Sequence, residues 1–269
     1  MGPTCFFVVT SITGLPSGHV ASSAVIACAT DHLLGVAMPF MTPQIDARVT
    51  SLAPGFRALS IQVDGATMVD REVGAQALAR ACQSVAAGGA PWAQAHLSAW
   101  GEVFKRFGAK PQRTPCSAQA LLKRVQREGS LPCIDPVVDL YNAISIEYAI
   151  PVGGEDLTAY EGSPRLIIAD GTELFDTMKE GAPAHETPEP GEVVWCDDRG
   201  VTCRRWNWRQ GTRTRLSAES GQMWFILESL PEMPLAALQE AGDRLIEGLR
   251  QMMPGARIES VLIGSPDGA

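Results

Sequence analysis

The chain contains none of the short motifs by which many hydrolases and nucleotide-binding enzymes are recognised. It has no Gly-x-Ser-x-Gly stretch and no glycine-rich loop suited to holding a phosphate. Its seven cysteines lack the paired spacing of a zinc site, and the closest two, Cys196 and Cys203, are seven positions apart. These absences disfavour covalent acyl transfer, metal-dependent hydrolysis and ATP use. The sequence implies no metal and no cofactor.

The first forty residues have little charge. They contain no lysine, arginine or glutamate, and Asp31 is their one acidic residue. Gly14, Pro16 and Gly18 interrupt the apolar runs, so the segment fits neither a secretory signal nor a membrane span of about 20 apolar residues. We expect residues 1–40 to be a peripheral or non-native N-terminal extension, and residues 41–269 to be a single domain. An ordinary edge strand and loop is the alternative for this segment.

The remaining composition is that of a globular protein, because hydrophobic residues make up 45% of the 269 residues. An odd number of cysteines without an export signal is typical of the reduced cytosol, so we expect a cytoplasmic protein with no membrane partner. Periodicity predicts an α/β fold of the α+β type, with mixed sheets and flanking helices. The predicted helices cover residues 70–87, 92–107, 117–128, 136–150 and 234–253, and the predicted strands cover residues 56–63, 165–169, 223–227 and 257–263.

The net charge of −8 argues against an indiscriminate nucleic-acid binder, and we expect no DNA partner. The basic residues are nevertheless clustered: seven basic and no acidic residues lie in 105–127, and six basic and no acidic residues lie in 199–215. Within the first cluster, contact with tRNA phosphates and a solvated helix face are alternative interpretations. The candidate tRNA-binding residues are Lys110, Arg113, Lys123 and Arg124.

Residues 204–210 alternate cationic or amide side chains with two tryptophans. Residues 192–195, the turn 197–200 and residues 201–208 together predict a β-hairpin. In a continuous strand, Arg204, Trp206 and Trp208 would share one face, and Arg205, Asn207 and Arg209 the other. One face is suited to packing and the other to binding, because a forked guanidinium matches phosphate, carboxylate or an oxyanion. A purely structural role is the alternative.

A second polar stretch follows residue 134. Asp135 and Pro136 predict a helix start, because the carboxylate accepts from free N–H groups and proline lacks one. On this helix Asp139 and Asn142 are expected close together. Gly153 and Gly154 then predict a tight turn or a close approach to a ligand. Glu155 and Asp156 follow that turn.

At these stretches the chain resembles the freestanding proteins with a B3/B4 domain, which are related to the editing domain of the phenylalanyl-tRNA synthetase β subunit. The resemblance covers roughly residues 90 to 235 and implies an α/β domain that handles tRNA. In the synthetase this domain hydrolyses amino acids wrongly attached to tRNA. The residues that carry the resemblance are 107–111, 135–142, 151–157, 188–191 and 204–210.

One departure concerns mechanism. The synthetase's editing domain has a motif resembling Pro-x-His-Ala-x-Asp after this helix, and here Gly153 stands at the histidine's place. Beyond residue 40 the only histidines are His96 and His185, and neither is expected to replace it. Synthetase-like editing therefore needs other groups, such as an oriented water and donors for the oxyanion.

The expected function is a trans-acting aminoacyl-tRNA deacylase whose partners are aminoacylated tRNA and its small amino-acid moiety. A non-catalytic tRNA- or amino-acid-binding module is the alternative. In a third, purely structural interpretation, Arg205 and Arg209 pair with Asp139, Glu155 or Asp156 and tie the hairpin to the helix. The candidate catalytic residues are Glu155, which would orient a water or hold the substrate's α-ammonium group, and Arg205 and Asn207, which would stabilise the oxyanion. The candidate substrate-binding residues are Asp139, Asn142, Gly153, Gly154, Asp156 and Arg209.

Overall fold

The computed structural model describes residues 40–264, which form eleven strands, six α-helices and one 3₁₀ turn at Leu157–Ala159. The helices are α1 (Ala47–Leu52), α2 (Glu72–Ala86), α3 (Ala93–Arg106), α4 (Ser117–Glu128), α5 (Pro136–Tyr148) and α6 (Leu235–Met252). The strands are β1 (Gln44–Ile45), β2 (Arg57–Asp64), β3 (Val152–Asp156), β4 (Arg165–Ile168), β5 (Phe175–Lys179), β6 (Ala182–Glu186), β7 (Val193–Cys196), β8 (Val201–Arg204), β9 (Arg209–Gln210), β10 (Gln222–Ser229) and β11 (Arg257–Ile263). The expected extension at residues 1–40 lies, apart from its last residue, outside the described residues, and the division at residue 40 stays a prediction.

The strands form two sheets. The larger sheet has the order β1-β4-β7-β8-β5-β6, with β9 also paired to β8, and it is mixed because β1–β4 and β5–β8 are parallel pairs. The smaller sheet has the order β11-β2-β10-β3 and is antiparallel throughout. Helices α5 and α6 pack their apolar faces against the smaller sheet. This architecture confirms the predicted α/β fold with mixed sheets and flanking helices.

Local sequence signals place the helix ends where they were predicted. Helix α4 runs from Ser117 to Glu128 and stops at Gly129, whose φ of 78° is the left-handed conformation that glycine adopts most easily. Helix α5 starts at Pro136, and the carboxylate of Asp135 accepts from the N–H groups of Val137 and Val138 at 2.9 and 3.3 Å. No helix within residues 40–264 is both long and apolar enough to cross a membrane.

One local prediction, the tight turn at the glycine pair, was wrong. Gly153 and Gly154 form no turn, because both lie in strand β3 and pair with β10. Glycine is required at position 154 for packing: a Cβ there would lie 2.9 Å from ring atoms of Tyr141 and Phe225.

A second apolar core holds the larger sheet, helix α3 and strand β10 together, and it includes Trp100, Trp195, Trp206 and Trp224. These four rings form two edge-to-face pairs: the ring centre of Trp206 lies 5.2 Å from that of Trp100, and the ring centre of Trp195 lies 5.2 Å from that of Trp224. Trp100, Trp206 and Trp224 are among the largest side chains that are fully buried. This aromatic core forms the wall behind the cavity described next.

Candidate functional site

A cavity of about 260 Å³ lies between helix α4, strands β3 and β10 and the segment after β8. Its volume is near the lower end of the range for ligand pockets, which suits a small ligand. The lining includes two glutamates and four tryptophans: Glu155, Glu228, Trp195, Trp206, Trp208 and Trp224. No lysine, arginine or histidine is present among the described residues that line it.

The pairing of β3 with β10 forms the floor of this cavity. Glu155 is directly opposite Trp224, and Gly153 is opposite Ile226. Because alternate residues of a strand share a face, Trp224, Ile226 and Glu228 point to the same side. Gly153 leaves space on that side, since a Cβ there would only reach ordinary contact with Ile226 at 3.5 Å.

Glu228 is fixed at one end of the floor by three neutral donors. Its Oε1 accepts from the indole nitrogens of Trp195 and Trp206, each at 2.9 Å, and its Oε2 accepts from the amide nitrogen of Asn207 at 2.9 Å. The residue is only 1% exposed. Burial raises the pKa of Glu228 to about 7, although these donors act in the opposite direction.

Glu155 occupies the other end and is 5% exposed. The hydroxyl of Tyr160 donates to its Oε2. Burial raises the pKa of Glu155 to about 8, against the lowering effects of the Thr202 hydroxyl and the charge of Arg213. Both carboxyl groups therefore change protonation near neutral pH, which is a common property of groups that act in catalysis.

The segment between β8 and β9 is a tight turn and not the continuous strand that was predicted. Arg205 and Trp206 adopt positive φ angles of 47° and 66°, which reverse the chain. This conformation costs roughly 1–2 kcal/mol per residue in side chains other than glycine. It is held by hydrogen bonds: the N–H of Arg205 donates to Glu192 at 2.9 Å, and the N–H of Trp206 donates to the carbonyl of Val193 at 2.6 Å.

The turn changes which side chains face the cavity. Trp206, Asn207 and Trp208 are consecutive, yet all three line it. The predicted alternation, with Arg205, Asn207 and Arg209 on one binding face, is therefore wrong. The alternation is lost because of the turn, which rotates successive side chains by angles that a strand does not allow.

A protein-family model matches the part of the chain that forms the cavity. Residues 99–242, more than half of the chain, match the model described as the B3/4 domain. The chain belongs to the B3/4 domain family. This confirms the predicted resemblance, and the B3/4 region extends from α3 into α6, so that it contains both glutamates and all four tryptophans of the cavity.

A solved structure is also similar in fold, namely an N-terminal fragment of the phenylalanyl-tRNA synthetase β-subunit from Pyrococcus horikoshii. The TM-score is 0.42 and the sequence identity is 12%. The similarity covers 84% of this chain and 54% of that fragment, so this chain spans about half of the fragment's length. No curated protein is similar enough in sequence to count as a match.

Within the B3/4 region, the three arginines of the turn lie outside the cavity lining. Arg204 is 7% exposed and forms two hydrogen bonds with Glu192, from Nε to Oε1 at 3.0 Å and from Nη2 to Oε2 at 2.8 Å. The guanidinium of Arg205 lies 4.6 Å from the ring centre of Trp208. Arg209 donates to the hydroxyl of Thr177 at 2.6 Å. Neither Arg205, predicted to stabilise the oxyanion, nor Arg209, predicted to contact the substrate, is among the residues that line the cavity.

Of the other predicted site residues, some line the cavity and some do not. Asn142 and Gly153 line the cavity with Glu155 and Asn207, whereas Asp139 and Asp156 do not. Asp139 is 2% exposed, and its carboxylate accepts from the N–H of Ile134 at 2.9 Å, so it closes the loop before α5.

Asp156 instead holds the 3₁₀ turn, because its carboxylate accepts from the N–H of Thr158 at 2.8 Å. Gly154 packs under Tyr141, and its carbonyl accepts from the amide of Gln210 at 2.9 Å. The third interpretation paired Arg205 and Arg209 with Asp139, Glu155 or Asp156. The ion pairs of these arginines lead instead to Glu192, 3.8 Å from Arg205, and to Glu186, 3.5 Å from Arg209.

Glu228 and Ser117 are two polar residues of the cavity that sequence reasoning did not identify as candidates. Glu228 lies just after the predicted strand 223–227, where a single carboxylate follows a continuous apolar run. That isolated charge was the available signal, since charged residues are almost never fully buried without partners. Ser117 was read only as a helix start, yet it lines the cavity, and its buried Oγ has no hydrogen-bond partner.

Proposed function

We propose that the protein is a trans-acting aminoacyl-tRNA deacylase of the cytoplasm. Membership of the B3/4 domain family supports a tRNA-related role. The observation that carries the proposal is Glu155, a buried carboxyl group whose pKa is raised to about 8, in a cavity sized for a small guest. A group of this pKa can take and return a proton near neutral pH.

The proposed reaction is hydrolysis of the ester that joins an amino acid to tRNA. Glu155 takes a proton from a bound water, whose oxygen forms a bond to the ester carbonyl carbon. The bond from that carbon to the ribose oxygen then breaks, and the ribose oxygen receives the proton from Glu155. The products are free amino acid and tRNA, so atoms and charge balance without a cofactor.

An oxyanion forms at the carbonyl oxygen during this reaction and needs a hydrogen-bond donor. The hydroxyl of Ser117 is buried, unpartnered and on the cavity wall, so it supports this role better than Arg205 does. Asn207 was expected to serve as such a donor, but its amide nitrogen already donates to Glu228. In the proposed site Asn207 contributes its carbonyl oxygen instead.

The basic residues of helix α4 support tRNA docking beside the cavity. Ala120 lines the cavity and is itself exposed, so it marks the mouth. Lys123 and Arg124 are exposed and follow it by three and four positions, which places them next to Ala120 on the helix surface. Lys110 and Arg113 are exposed in the segment just before α4. A phosphate backbone bound along this helix would bring an attached amino acid to the mouth.

A non-catalytic tRNA- or amino-acid-binding module is the second candidate. The absence of histidine among the described lining residues, with Gly153 at the place of the synthetase's histidine, favours it. It predicts saturable binding of charged tRNA without loss of the amino acid.

A panel of mischarged tRNAs tests the proposal. The purified protein should release at least one amino acid faster than buffer does, and Glu155→Gln should lower that rate at least a hundredfold while tRNA affinity stays within twofold. Glu102→Gln, which removes the same charge from an exposed side chain of α3, is the matched control. A Glu155→Gln variant that is folded and fully active contradicts the assignment, and binding without release for every tRNA supports the second candidate.

A further inference from the structure

The two carboxylates stand at opposite ends of the cavity floor. Glu155 is opposite Trp224 in the β3–β10 pairing, and Glu228 follows Trp224 by four residues on the same strand. At about 3.4 Å per residue this places the two backbone positions roughly 14 Å apart along the sheet. They are therefore separate groups with separate roles, and not a pair of carboxyls that share one proton.

The Glu228 end has the chemistry of a cation site. All three donors to the Glu228 carboxylate are neutral, namely two indole nitrogens and one amide nitrogen. The faces of tryptophan rings attract cations, and four tryptophans line the cavity. No basic side chain is among the described lining residues. A negatively charged guest would meet no compensating charge there.

Asn207 adds an acceptor that lacks a donor. Its amide nitrogen donates to Glu228 at 2.9 Å, so the orientation of the amide is set by that contact. The remaining atom, Oδ1, is buried and has no hydrogen-bond partner. A buried acceptor without a partner is unfavourable, and a ligand that donates a hydrogen bond to it would remove that cost.

We propose that the Glu228 end is an ammonium subsite, which takes the α-ammonium group of an aminoacyl ester and rejects the free amino acid. Asn207 Oδ1 accepts one ammonium proton, and the Glu228 carboxylate supplies the opposite charge. This inference rests on the proposed function for the identity of the guest. It extends that function by naming the charge state the cavity selects.

The selection follows from the carboxyl group of the amino acid. In an ester or an amide that group is neutral, so the guest carries one positive charge. Hydrolysis turns it into a carboxylate, which then lies between Glu155 and Glu228 with no basic residue among the described lining. Repulsion between like charges in a buried site disfavours this product strongly, so the free amino acid leaves.

Binding of amino-acid amides tests the proposal without any tRNA. The probes are the amides of alanine, serine, leucine and phenylalanine, each compared by calorimetry with its free acid and its N-acetyl amide. At least one amide should bind at least tenfold more tightly than both partners of its set. Glu228→Gln should remove this preference, and so should Asn207→Ala, while Glu102→Gln should keep it.

Two outcomes overturn the proposal: free acids that bind as tightly as amides, or four amides that do not bind at all to protein shown to be folded. If Glu228→Gln lowers the melting temperature by more than a few degrees, Asn207→Ala provides the deciding comparison. Failure of the deacylase proposal remains distinguishable, because it concerns release from tRNA. Tight amide binding with no deacylation would keep the subsite and reject the enzyme.

Discussion

The indole nitrogen of Trp206 donates to the Oε1 of Glu228 at 2.9 Å and thereby ties a turn of the larger sheet to strand β10 of the smaller one. Trp195, on β7, makes the same contact with the same oxygen. One buried carboxylate thus holds elements from both sheets around the cavity. Its hydrogen bonds offset part of the cost of burial, since an unpaired charge there would be far more expensive.

Stability should fall as the pH rises through the neutral range. The pKa values of Glu155 and Glu228 are raised from the ordinary value of 4.5 to about 8 and about 7. Between pH 4.5 and these values the folded protein holds more protons than the unfolded chain. Each carboxyl group therefore lowers the free energy of unfolding by up to about 1.4 kcal/mol for every unit by which the pH rises. The stabilisation from the protonated groups is fully present below the unfolded pKa and is lost as the pH rises through the folded pKa values.

Urea unfolding at pH 5.5, 7 and 8.5 measures the effect. The midpoint should decrease across the series, and Glu155→Gln and Glu228→Gln should each flatten the decrease, while Glu102→Gln should follow the unaltered protein. If the urea midpoint of the variant with both substitutions still decreased as the pH rises, other titrating groups would be responsible.

Arg204 and Arg205 should differ sharply in their importance. Arg204→Met leaves the carboxylate of Glu192, 3% exposed, without its bidentate partner, which should cost about 3–5 kcal/mol. Arg205→Ala removes a half-buried side chain 3.8 Å from the same carboxylate, and partly exposed pairs contribute less than about 1 kcal/mol. Chemical denaturation of both variants checks the difference.

The same two variants separate structure from catalysis. Since Arg205 does not line the cavity, Arg205→Ala should keep the deacylation rate within a few fold. If it slowed deacylation by orders of magnitude in a stable protein, the oxyanion role first expected for Arg205 would have to be restored.

Gly153 and Gly154 should respond differently to alanine. A Cβ at position 154 would lie 2.9 Å from ring atoms of Tyr141 and Phe225, so Gly154→Ala should destabilise the protein by about 1–3 kcal/mol. At position 153 the added methyl group reaches only ordinary contact with Ile226, but it enters the cavity. Gly153→Ala should therefore unfold like the unaltered protein in urea and bind amino-acid amides more weakly. Equal destabilisation of both variants would contradict this difference.

Lys123 and Arg124 should contribute to tRNA affinity through phosphate contacts. Replacing both by alanine should weaken binding of several tRNAs equally and make the dependence of affinity on salt shallower, by up to about one unit of slope for each lost contact. Filter binding at a series of salt concentrations measures both effects. Lys179 and Arg250, exposed on β5 and α6, form a charge-matched control pair. If the variant lacking Lys123 and Arg124 showed the same salt dependence as the control variant, α4 would not be part of the tRNA-binding surface.

The sequence was sufficient to predict helix ends that depend only on residues close to them in the chain. The start of α5 follows from Asp135 and Pro136, and the end of α4 follows from Gly129, because capping and left-handed φ angles are properties of single positions. The turn at Arg205 was not predictable in the same way. It depends on Glu192 and Val193, which lie more than ten residues earlier and accept its backbone N–H groups.

The sequence by itself determined the family, the fold class and most helix and strand positions, and it identified Glu155, Asn142, Gly153 and Asn207 as polar or small residues near a site. Only the tertiary structure decided which side chains share the cavity. Glu228 enters it through contacts between β10 and residues of the larger sheet, whereas Arg205 leaves it because the chain turns on contacts with residues 192 and 193 at the start of β7. The pKa of a carboxyl group depends in the same way on burial by residues distant in sequence, because desolvation depends on what surrounds the group in space.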